Sequence, residues 1–345
     1  MKSTSKIRRI HWMLVLSLVL SIAAASCSPV VVQPLPVVTP HAATQALPTF
    51  VVENPTSAAL PTNQPQSGNT SAPGKLPVFS HIIVIILENE ESSNIIGNGS
   101  MPNMNKLAQQ YTVLTNYYAV RHPSLPNYIA MTSGDTQGIS SDCIDCFVNQ
   151  TNLMDLIEKS GRTWTAYMED MPAACTLGNQ GKYAQKHNPF VYYDDIRTNT
   201  ARCQKDDVPY SQFDSDLKNN QLPAFAWITP NLCNDAHDCP VATADQWLGP
   251  VVDNILNSPA FDQNSLLIIT FDEGTTNIGC CGLPSKAGGK IATLLVSKLV
   301  KPGFQDDTAY THYSLLKTIE TSWGLLPLLG HSADAGTTLI SAPWK

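Results

Sequence analysis

The stretch His81-Ile-Ile-Val-Ile-Ile-Leu-Glu-Asn89 decides how this chain is expected to fold. Residues 82–87 are continuously apolar and mostly β-branched, with no alternation of polar and apolar side chains. Such a run is typical of a strand that is buried on both faces, and strands of this kind belong to parallel sheets covered by helices. Glu88 and Asn89 then lie at the carboxyl end of that strand.

Further strand and helix patterns alternate along the chain after this first strand. A short helix closed by Gly161 and another apolar run, LLIITF, are the clearest of them. This alternation predicts an α/β fold with a mainly parallel sheet sandwiched by helices. The predicted strands are 81–87, 162–168, 224–229, 266–271 and 290–297, and the predicted helices are 102–111, 152–160, 246–257 and 313–323.

Acidic and histidine side chains follow the predicted strands. In open α/β sheets, ligands bind beyond the carboxyl ends of the strands, so we expect these side chains to meet at one edge. Several carboxylates brought together there would repel one another without a cation, and Asp, Glu and His are ligands of divalent metals. Each residue alone has the alternative interpretation of a cap or a solvated turn. The residues are Glu88, Glu169, Asp170, Asp235, His237, Asp272 and Glu273.

The stretch RHPSLPNYIAMTSGDTQG, residues 121–138, holds Ser124 between two prolines. Pro126 fits the first position of a helix, which places Ser124 at a helix N-terminus, where free N–H groups favour an anion such as phosphate. A serine hydroxyl needs an adjacent base or a metal to become a nucleophile. No Gly-x-Ser-x-Gly elbow is present, which favours metal activation over a hydrolase triad. The alternative interpretation of Ser124 is a plain helix cap.

The N-terminal part of the chain is expected to lie outside the folded domain. Residues 1–27 combine a basic start with a short apolar segment, which is typical of an export signal. They end in Ala-Ala-Ser-Cys27, which resembles a lipoprotein cleavage site with Cys27 as the lipidated residue; an ordinary signal peptide is the alternative. Residues 28–75 are rich in Pro, Ser and Thr and predict a disordered linker. Residues 76–345 are long enough for one large domain.

The charge of the chain limits the kinds of partner that it can bind, and its cysteine content indicates the cellular compartment. The net charge is −7 and no basic run follows the signal, which argues against a nucleic-acid partner. An acidic protein that handles phosphate needs a local cation, and a metal ion is the simplest source. An even set of cysteines in an exported protein predicts disulfides, although a CxxC at 143–146 has zinc or redox chemistry as its alternative. The set is Cys143, Cys146, Cys175, Cys203, Cys233, Cys239, Cys280 and Cys281, with Cys233 and Cys239 a plausible local pair.

Seven motifs in order give the chain a resemblance to a known family. They are VIILENEES, HPSLPNYIAMTSGDTQG, YMEDMPAAC, KHNPFVYY, ITPNLCNDAHDC, ITFDEG and THYSLLKTIE, and they run from about residue 79 to residue 323. With them the chain resembles the bacterial phosphoesterase family of secreted acid phosphatases and phospholipases C, within the alkaline-phosphatase-like superfamily. The resemblance implies a catalytic domain at 76–345 with one or two divalent metal ions and a small phosphorylated substrate, such as a lipid or sugar phosphate.

The resemblance also implies roles for individual residues. Ser124 matches the nucleophile, which also touches the metal. Asn89 matches a contact to the phosphoryl group, and Asn127 is a further candidate for binding substrate. Three histidines are candidates to hold phosphate, protonate the leaving group or bind metal: His122, His187 and His312. The implied metal ligands, besides Ser124, are Glu88, Asp235, His237, Asp272 and Glu273.

Departures from related patterns favour one branch of this family. Related sulfatases carry Arg where Tyr128 stands, so its absence weakens a sulfatase interpretation. The phospholipase C branch typically begins Glu-Asn-Arg-Ser-Phe, whereas this chain has Glu88-Asn-Glu-Glu-Ser92, which favours an acid phosphatase. A phospholipase C or other phosphodiesterase, with an aromatic rim to its cleft, is the first alternative. A non-catalytic envelope lipoprotein that binds phosphorylated ligands is the second. The rim candidates are Trp164, Tyr167, Phe190, Tyr192 and Tyr193, with core packing as their alternative.

Overall fold

The structure, a computed structural model, describes residues 75–345. The predicted export signal at 1–27, the lipidation site Cys27 and the linker up to residue 74 lie outside the described residues, so these remain predictions. Within residues 75–345, no helix combines the length and the apolar character that crossing a membrane requires.

Strands and helices alternate along the described chain. The strands are β1 Ile82–Leu87, β2 Thr112–Tyr118, β3 Trp164–Met168, β4 Asp207–Pro209, β5 Phe225–Thr229, β6 Leu266–Phe271, β7 Lys290–Val296, β8 Gln305–Asp306 and β9 Tyr310–Thr311. The helices are α1 Ser92–Ile95, α2 Pro102–Gln110, α3 Ser124–Ser133, α4 Leu153–Lys159, α5 Asp194–Arg197, α6 Thr200–Asp206, α7 Ser211–Lys218, α8 Val241–Asn257 and α9 His312–Trp323.

One mainly parallel sheet organises the fold, as the sequence predicts. Its strand order is β4-β3-β5-β1-β6-β7-β2-β8, with β9 paired to β2. The central strand β1 is parallel to both neighbours, since Ile82 pairs with Phe225 of β5 and with Leu266 of β6. Every residue of β1, β5 and β6 is buried, which requires cover on both faces of the sheet. The antiparallel exception is β7, which pairs in that sense with β6 and β2.

The differences between predicted and observed elements have local causes. The strand β2 was missed because its sequence, TVLTNYY, mixes polar side chains into the apolar run. The helix α7 was missed because it buries only Phe213 and Leu217, which is too short a pattern to stand out. Helix α8 begins at Val241, five residues before the predicted start at 246, directly after Pro240. These differences leave the order of the predicted elements unchanged.

The eight cysteines form four disulfides, which confirms the structural interpretation of the set. The CxxC at 143–146 is one of these bonds rather than a zinc ligand pair. Cys175 and Cys203 lie beside Asp207, but as a disulfide they offer no thiolate to a metal ion. The bonds are Cys143–Cys146, Cys175–Cys203, Cys233–Cys239 and Cys280–Cys281.

Asp245 of α8 caps the neighbouring helix α2 from outside. The residue before α2, Met101, makes no side-chain bond to the helix N-terminus. Instead, the buried carboxylate of Asp245 accepts hydrogen bonds from the backbone N–H groups of Met104 at 2.9 Å and Asn103 at 3.0 Å. A carboxylate at this position satisfies helix donors and interacts favourably with the helix dipole. The bond therefore ties two helices that are far apart in sequence.

We expect Asp245→Ala to lower the free energy of unfolding by roughly 2–4 kcal/mol, because it leaves helix N–H groups without their charged partner. Urea denaturation at fixed metal concentration measures the change. Asp253→Ala removes an exposed carboxylate from the same helix and should change stability by less than about 0.5 kcal/mol. Equal losses in the two variants would show that the bond to α2 is not what stabilises the fold here.

Candidate active site

Three carboxylates converge at the carboxyl edge of the sheet. Glu88 directly follows β1 and Asp272 directly follows β6; since Leu87 pairs with Phe271, the parallel register places the two acids side by side. Asp235 joins them from the loop after β5, because its carbonyl accepts the Glu88 N–H at 2.8 Å. All three side chains are fully buried. The predicted convergence at this edge is therefore present for β1, β5 and β6.

His187 completes a compact group with two of these acids. It lies in the short 3₁₀ turn Gln185–His187, and its Nε2 is 3.2 Å from Glu88 Oε2 while its Nδ1 is 3.3 Å from Asp235 Oδ2. One ligand atom from each of the three residues lies within 4.8 Å of the others. The ring of Tyr128 stacks on His187 with 5.5 Å between centroids and fixes its orientation.

Glu88 connects this group to Ser124. The buried Ser124 hydroxyl donates to Glu88 Oε2 at 3.0 Å, the same oxygen that faces His187. The Tyr128 hydroxyl donates to the other oxygen, Oε1. Both oxygens of Glu88 are thereby oriented, and Ser124 Oγ points to the position where the carboxylates and the histidine meet.

Burial shifts the pKa of every titratable member of the group. Desolvation, followed by the charges of Asp272 and Asp235, raises the pKa of Glu88 well above its ordinary value. Burial raises the pKa of Asp235 to about 7 and also raises that of Asp272, while it lowers the pKa of His187. So many buried acids in contact are unfavourable when all are ionised and no cation is bound.

Buried polar atoms that lack hydrogen-bond partners also indicate that this group of acids requires a cation. Among the described residues 75–345, four atoms of the site are buried without a hydrogen-bond partner: Asp235 Oδ2, Asp272 Oδ2, His187 Nε2 and Asn89 Oδ1. Buried polar atoms normally have partners, so their concentration here requires an explanation. A divalent cation bound by carboxylate oxygens and an imidazole nitrogen would supply it, and this donor set suits such an ion. The residues present therefore fit a metal ion.

Asn89 lies at the carboxyl end of β1, beside Asp272. It has a left-handed backbone with φ of 53°, and its N–H donates to Asp272 Oδ1 at 3.2 Å. This geometry leaves the side-chain amide at the site with Oδ1 unpaired. Contact of Asn89 with a phosphoryl group stays a prediction.

Glu273 and His122 form a pair beside the central group. The His122 Nδ1 donates to Glu273 Oε2 at 2.7 Å, and its Nε2 donates to the Thr276 carbonyl at 2.8 Å. The bond to Glu273 is the main reason that the pKa of His122 rises to about 9, so the ring is an imidazolium at neutral pH. Glu273, a predicted metal ligand, here binds a histidine instead of joining Glu88, His187 and Asp235.

Two predicted site residues have other roles in the structure. Asn127 was predicted to bind substrate, but its Oδ1 accepts from the Val120 and Arg121 N–H groups, each at 3.1 Å, and its Nδ2 donates to the Arg121 carbonyl at 2.7 Å. This amide holds the turn before α3. His312 donates from Nε2 to the Asp272 carbonyl at 2.6 Å and accepts at Nδ1 from Tyr117, 3.3 Å away, so both ring nitrogens are occupied.

His237 reaches the site through its backbone and a neighbouring lysine. Its N–H donates to Asp235 Oδ1 at 2.8 Å and so orients that carboxylate. Its Nε2 accepts from Lys186 Nζ at 3.1 Å, and the same Nζ lies 3.0 Å from Asp142 Oδ2. Metal binding by His237 stays a prediction. Lys186 was missed, although its position beside His187 in the motif KHNPFVYY was a signal for it.

The start of α3 differs from the sequence-based expectation. The helix begins at Ser124 itself, two residues before the predicted start at Pro126. The Leu125 N–H donates to Asp142 Oδ1 at 3.0 Å, and Pro126 has no N–H to offer. A phosphate at this point would therefore find fewer helix donors than a free N-terminus provides, which leaves a larger share of its binding to side chains and metal.

Comparison with known proteins identifies the family of this chain. The profile of the phosphoesterase family matches residues 94–326. The chain belongs to the phosphoesterase family. An acid phosphatase of the fungus Aspergillus fumigatus is 35% identical over 274 residues, covering 76% of this chain and 58% of that protein. A phosphatidylinositol-3-phosphatase of Mycobacterium tuberculosis is 34% identical over 268 residues, covering 76% of this chain and 83% of that protein. The fungal relative shows that the resemblance is not restricted to bacteria.

The fold is similar to that of a solved protein structure. A protein of the alkaline phosphatase superfamily from Vibrio parahaemolyticus superimposes with a TM-score of 0.50 at 16% identity, covering 73% of this chain and 68% of that chain. At that identity the likeness concerns the fold alone, and it agrees with the predicted alkaline-phosphatase-like sheet. This chain spans less than two thirds of the length of several fungal relatives, for example 58% of the Aspergillus protein.

We expect a divalent metal ion to stabilise the protein and Asp235→Asn to remove most of that effect. At a hundredfold excess over its Kd, the ion should raise the Tm by about 5–10 °C. In the metal-free state Asp235→Asn should be at least as stable as the unaltered chain, because it removes one of the mutually repelling buried acids. Thermal unfolding after chelation and after addition of Zn²⁺, Mn²⁺ or Mg²⁺ measures both effects.

Glu320→Gln is the matched control for this experiment. Glu320 is also a buried carboxylate, but it lies in α9 and is bound by the Leu329 N–H and the Ser332 hydroxyl. That variant should retain the full metal-induced rise in Tm. A metal-induced rise that persists in Asp235→Asn would argue against the metal site.

Proposed function

We propose that this chain hydrolyses phosphate monoesters through Ser124, with a divalent metal ion bound by Glu88, His187 and Asp235. The observation that carries the proposal is the hydrogen bond from the buried Ser124 hydroxyl to Glu88 Oε2, inside the group of unsatisfied carboxylates. A serine hydroxyl is a weak nucleophile, and a position next to metal-binding side chains is one that can activate it. The activities named for the relatives, acid phosphatase and phosphatidylinositol-3-phosphatase, support cleavage of a monoester.

Each step of the proposed reaction is assigned to a particular residue. Glu88 Oε2 accepts the Ser124 hydrogen bond and is placed to take the proton as Oγ attacks phosphorus. The bond from phosphorus to the alcohol oxygen breaks, and water later releases phosphate from the serine. The bound metal ion would supply Lewis-acid stabilisation of the charge on the phosphoryl oxygens. The amide of Asn89 is assigned to the same oxygens.

His122 is assigned to protonate the leaving alcohol. Of the three predicted histidines, His187 and His312 are buried and burial lowers the pKa of each, which leaves them neutral. His122 is partly exposed and positively charged, because its bond to Glu273 raises its pKa. A general acid must carry a proton, which His122 does, and His122 precedes Ser124 by two residues. Its Nε2 would have to release the Thr276 carbonyl to reach the leaving alcohol.

The burial of the aromatic residues favours a monoester over a phospholipid diester. Each predicted member of an apolar rim lies in the core, at most 1% exposed. Their alternative interpretation as core residues is therefore correct, and a phospholipase C loses its main support from the sequence. The residues are Trp164, Tyr167, Phe190, Tyr192 and Tyr193.

Export from the cytoplasm is part of the proposal. The described part of the chain contains four disulfides. Disulfides form readily in oxidising compartments and are rare in reducing ones, which supports an extracellular or envelope location. Attachment through a lipid at Cys27 remains the prediction made from the sequence. The substrate is a small phosphorylated molecule rather than a nucleic acid.

We expect Ser124→Ala to reduce kcat for p-nitrophenyl phosphate by roughly a thousandfold or more, because it removes the nucleophile. Ser133→Ala makes the same chemical change in the same helix, where the hydroxyl donates only to backbone carbonyls, and should keep near-normal activity. Initial rates at saturating metal measure both. Retention of full activity in Ser124→Ala would rule out the covalent route.

A second experiment separates a monoesterase from a diesterase. Metal-loaded protein should hydrolyse p-nitrophenyl phosphate much faster than p-nitrophenyl phosphorylcholine, and chelation should abolish the faster reaction until metal is restored. Release of p-nitrophenol is the readout for both substrates. Turnover of the diester alone would assign the chain to the phospholipase C type, and turnover of neither by folded, metal-loaded protein would favour a non-catalytic binding protein.

A further inference from the structure

A cleft lined by basic side chains includes Arg121 and His122, which shortly precede Ser124. Its volume is about 320 Å³. No carboxylate lines it, although the chain as a whole carries a net charge of −7. Its charge therefore differs in sign from that of the protein around it. The residues that line it are Arg121, His122, Asn277, Pro284, Ser285 and Lys286.

Two of these cations have no partner within the described part of the chain. Arg121 and Lys286 are exposed, and the ion pairs within residues 75–345 involve neither of them. A neighbouring cavity of about 420 Å³ shares Arg121, but there Asp135 and Asp334 offset the positive charge. The smaller cleft is thus the one suited to an anion.

The wall that carries Lys286 is fixed rather than loosely attached. Residues 274–289 form a loop whose base is held by Glu91, which accepts from the Thr275 and Thr276 N–H groups at 3.1 and 2.9 Å and from the Lys290 N–H at 3.3 Å. Near its end the loop contacts the segment before Ser124 so closely that a Cβ on Gly288 would lie 2.5 Å from the Arg121 carbonyl oxygen. Only glycine permits this contact, which brings the two sides of the cleft together.

Two residues that line the cleft lie close to Ser124 in the sequence. Arg121 and His122 precede Ser124 by three and two residues in the same turn. His122 also bonds to Glu273, the neighbour of Asp272 in the buried group. The cleft is therefore joined to the buried group through His122 and Glu273, so a substrate with its phosphoryl group at Ser124 could extend its alcohol portion into it.

We propose that this cleft binds a second phosphate group on the alcohol portion of the substrate, so that the preferred substrates carry two phosphates. The proposal rests on the proposed function, since it extends the same site. The guanidinium of Arg121 can bind phosphate oxygens in a bidentate manner, and Lys286 adds a point charge from the opposite wall. Asn277 and Ser285 offer neutral hydrogen bonds between them.

Two matched sugar phosphates test the proposal. Fructose 1,6-bisphosphate and fructose 6-phosphate share a skeleton and differ by one phosphate. On metal-loaded Ser124→Ala, calorimetry should give a Kd for the bisphosphate roughly tenfold lower than for the monophosphate, since two partly exposed ion pairs contribute about that much. Adding Arg121→Ala and Lys286→Ala should reduce the ratio of the two Kd values to about 2 or less, and 0.5 M salt should also reduce it.

Lys159→Ala with Lys298→Ala is the matched control. Lys159 is the last residue of α4 and Lys298 follows β7, and both are exposed at the opposite edge of the sheet. The pair therefore removes the same total charge far from the cleft. The control should retain the tenfold ratio. An equal decrease of the ratio in the control pair would overturn the proposal.

The second phosphate has two possible sources, a sugar bisphosphate or a lipid headgroup. Glycerophosphoinositol 4-phosphate, compared with inositol 4-phosphate, tests the headgroup, whose second phosphate is a diester. A larger gain for the fructose pair identifies a sugar bisphosphate, and a larger gain for the inositol pair identifies a headgroup. No gain in either pair would also overturn the proposal.

Because binding is measured on Ser124→Ala, the result does not depend on turnover. Phosphate release by the unaltered chain is recorded separately with the same four compounds. Tighter binding of the bisphosphate that requires Arg121 and Lys286, without turnover of any compound, would support the cleft and reject the proposed hydrolysis. Turnover of the monophosphate and bisphosphate with equal kcat/KM, together with equal Kd values, would reject the cleft and leave the proposed hydrolysis intact.

Discussion

The arrangement on which the rest of the site depends is the burial of Glu88, Asp235 and Asp272 at one edge of a parallel sheet. The register of β1 against β6 brings two of these acids side by side, and a backbone hydrogen bond from Glu88 brings the third. Buried like charges are strongly unfavourable, so the fold can hold them only in protonated form or around a cation. The geometry that makes the sheet therefore also makes a site that requires a positive charge.

The surrounding side chains orient these acids more than they neutralise them. Tyr128 and Ser124 each bond one oxygen of Glu88, and the His237 N–H fixes one oxygen of Asp235. One oxygen of Asp272 accepts from the Asn89 N–H. What remains unsatisfied in Asp235 and Asp272 is a single oxygen on each. Such an arrangement holds ligand atoms in place before an ion arrives, which reduces the reorganisation that binding would require.

The sequence predicted the parts of this site that directly follow strands. Continuous apolar runs identified β1 and β6, so Glu88 and Asp272 were found because their position depends only on strand ends. Lys186 was not predicted, although it lies beside His187 in the same 3₁₀ turn, because its contacts with His237 and Asp142 depend on tertiary packing. For Asn127, the sequence shows a group that can bind a ligand but not that the backbone before α3 already bonds its amide.

The role of the loop 274–289 also depends on tertiary contacts that the sequence does not show. Glu91 was noted only as a departure from the phospholipase C pattern, yet its carboxylate holds the base of that loop. Thr276, bound by Glu91, accepts the hydrogen bond of His122, and His122 in turn binds Glu273 beside the buried acids. One chain of contacts thus joins the loop that forms the cleft wall to the group expected to bind phosphate. Because these contacts are continuous, a change in the loop is expected to alter the position of His122, which under the proposed function would affect both the binding and the cleavage of substrate.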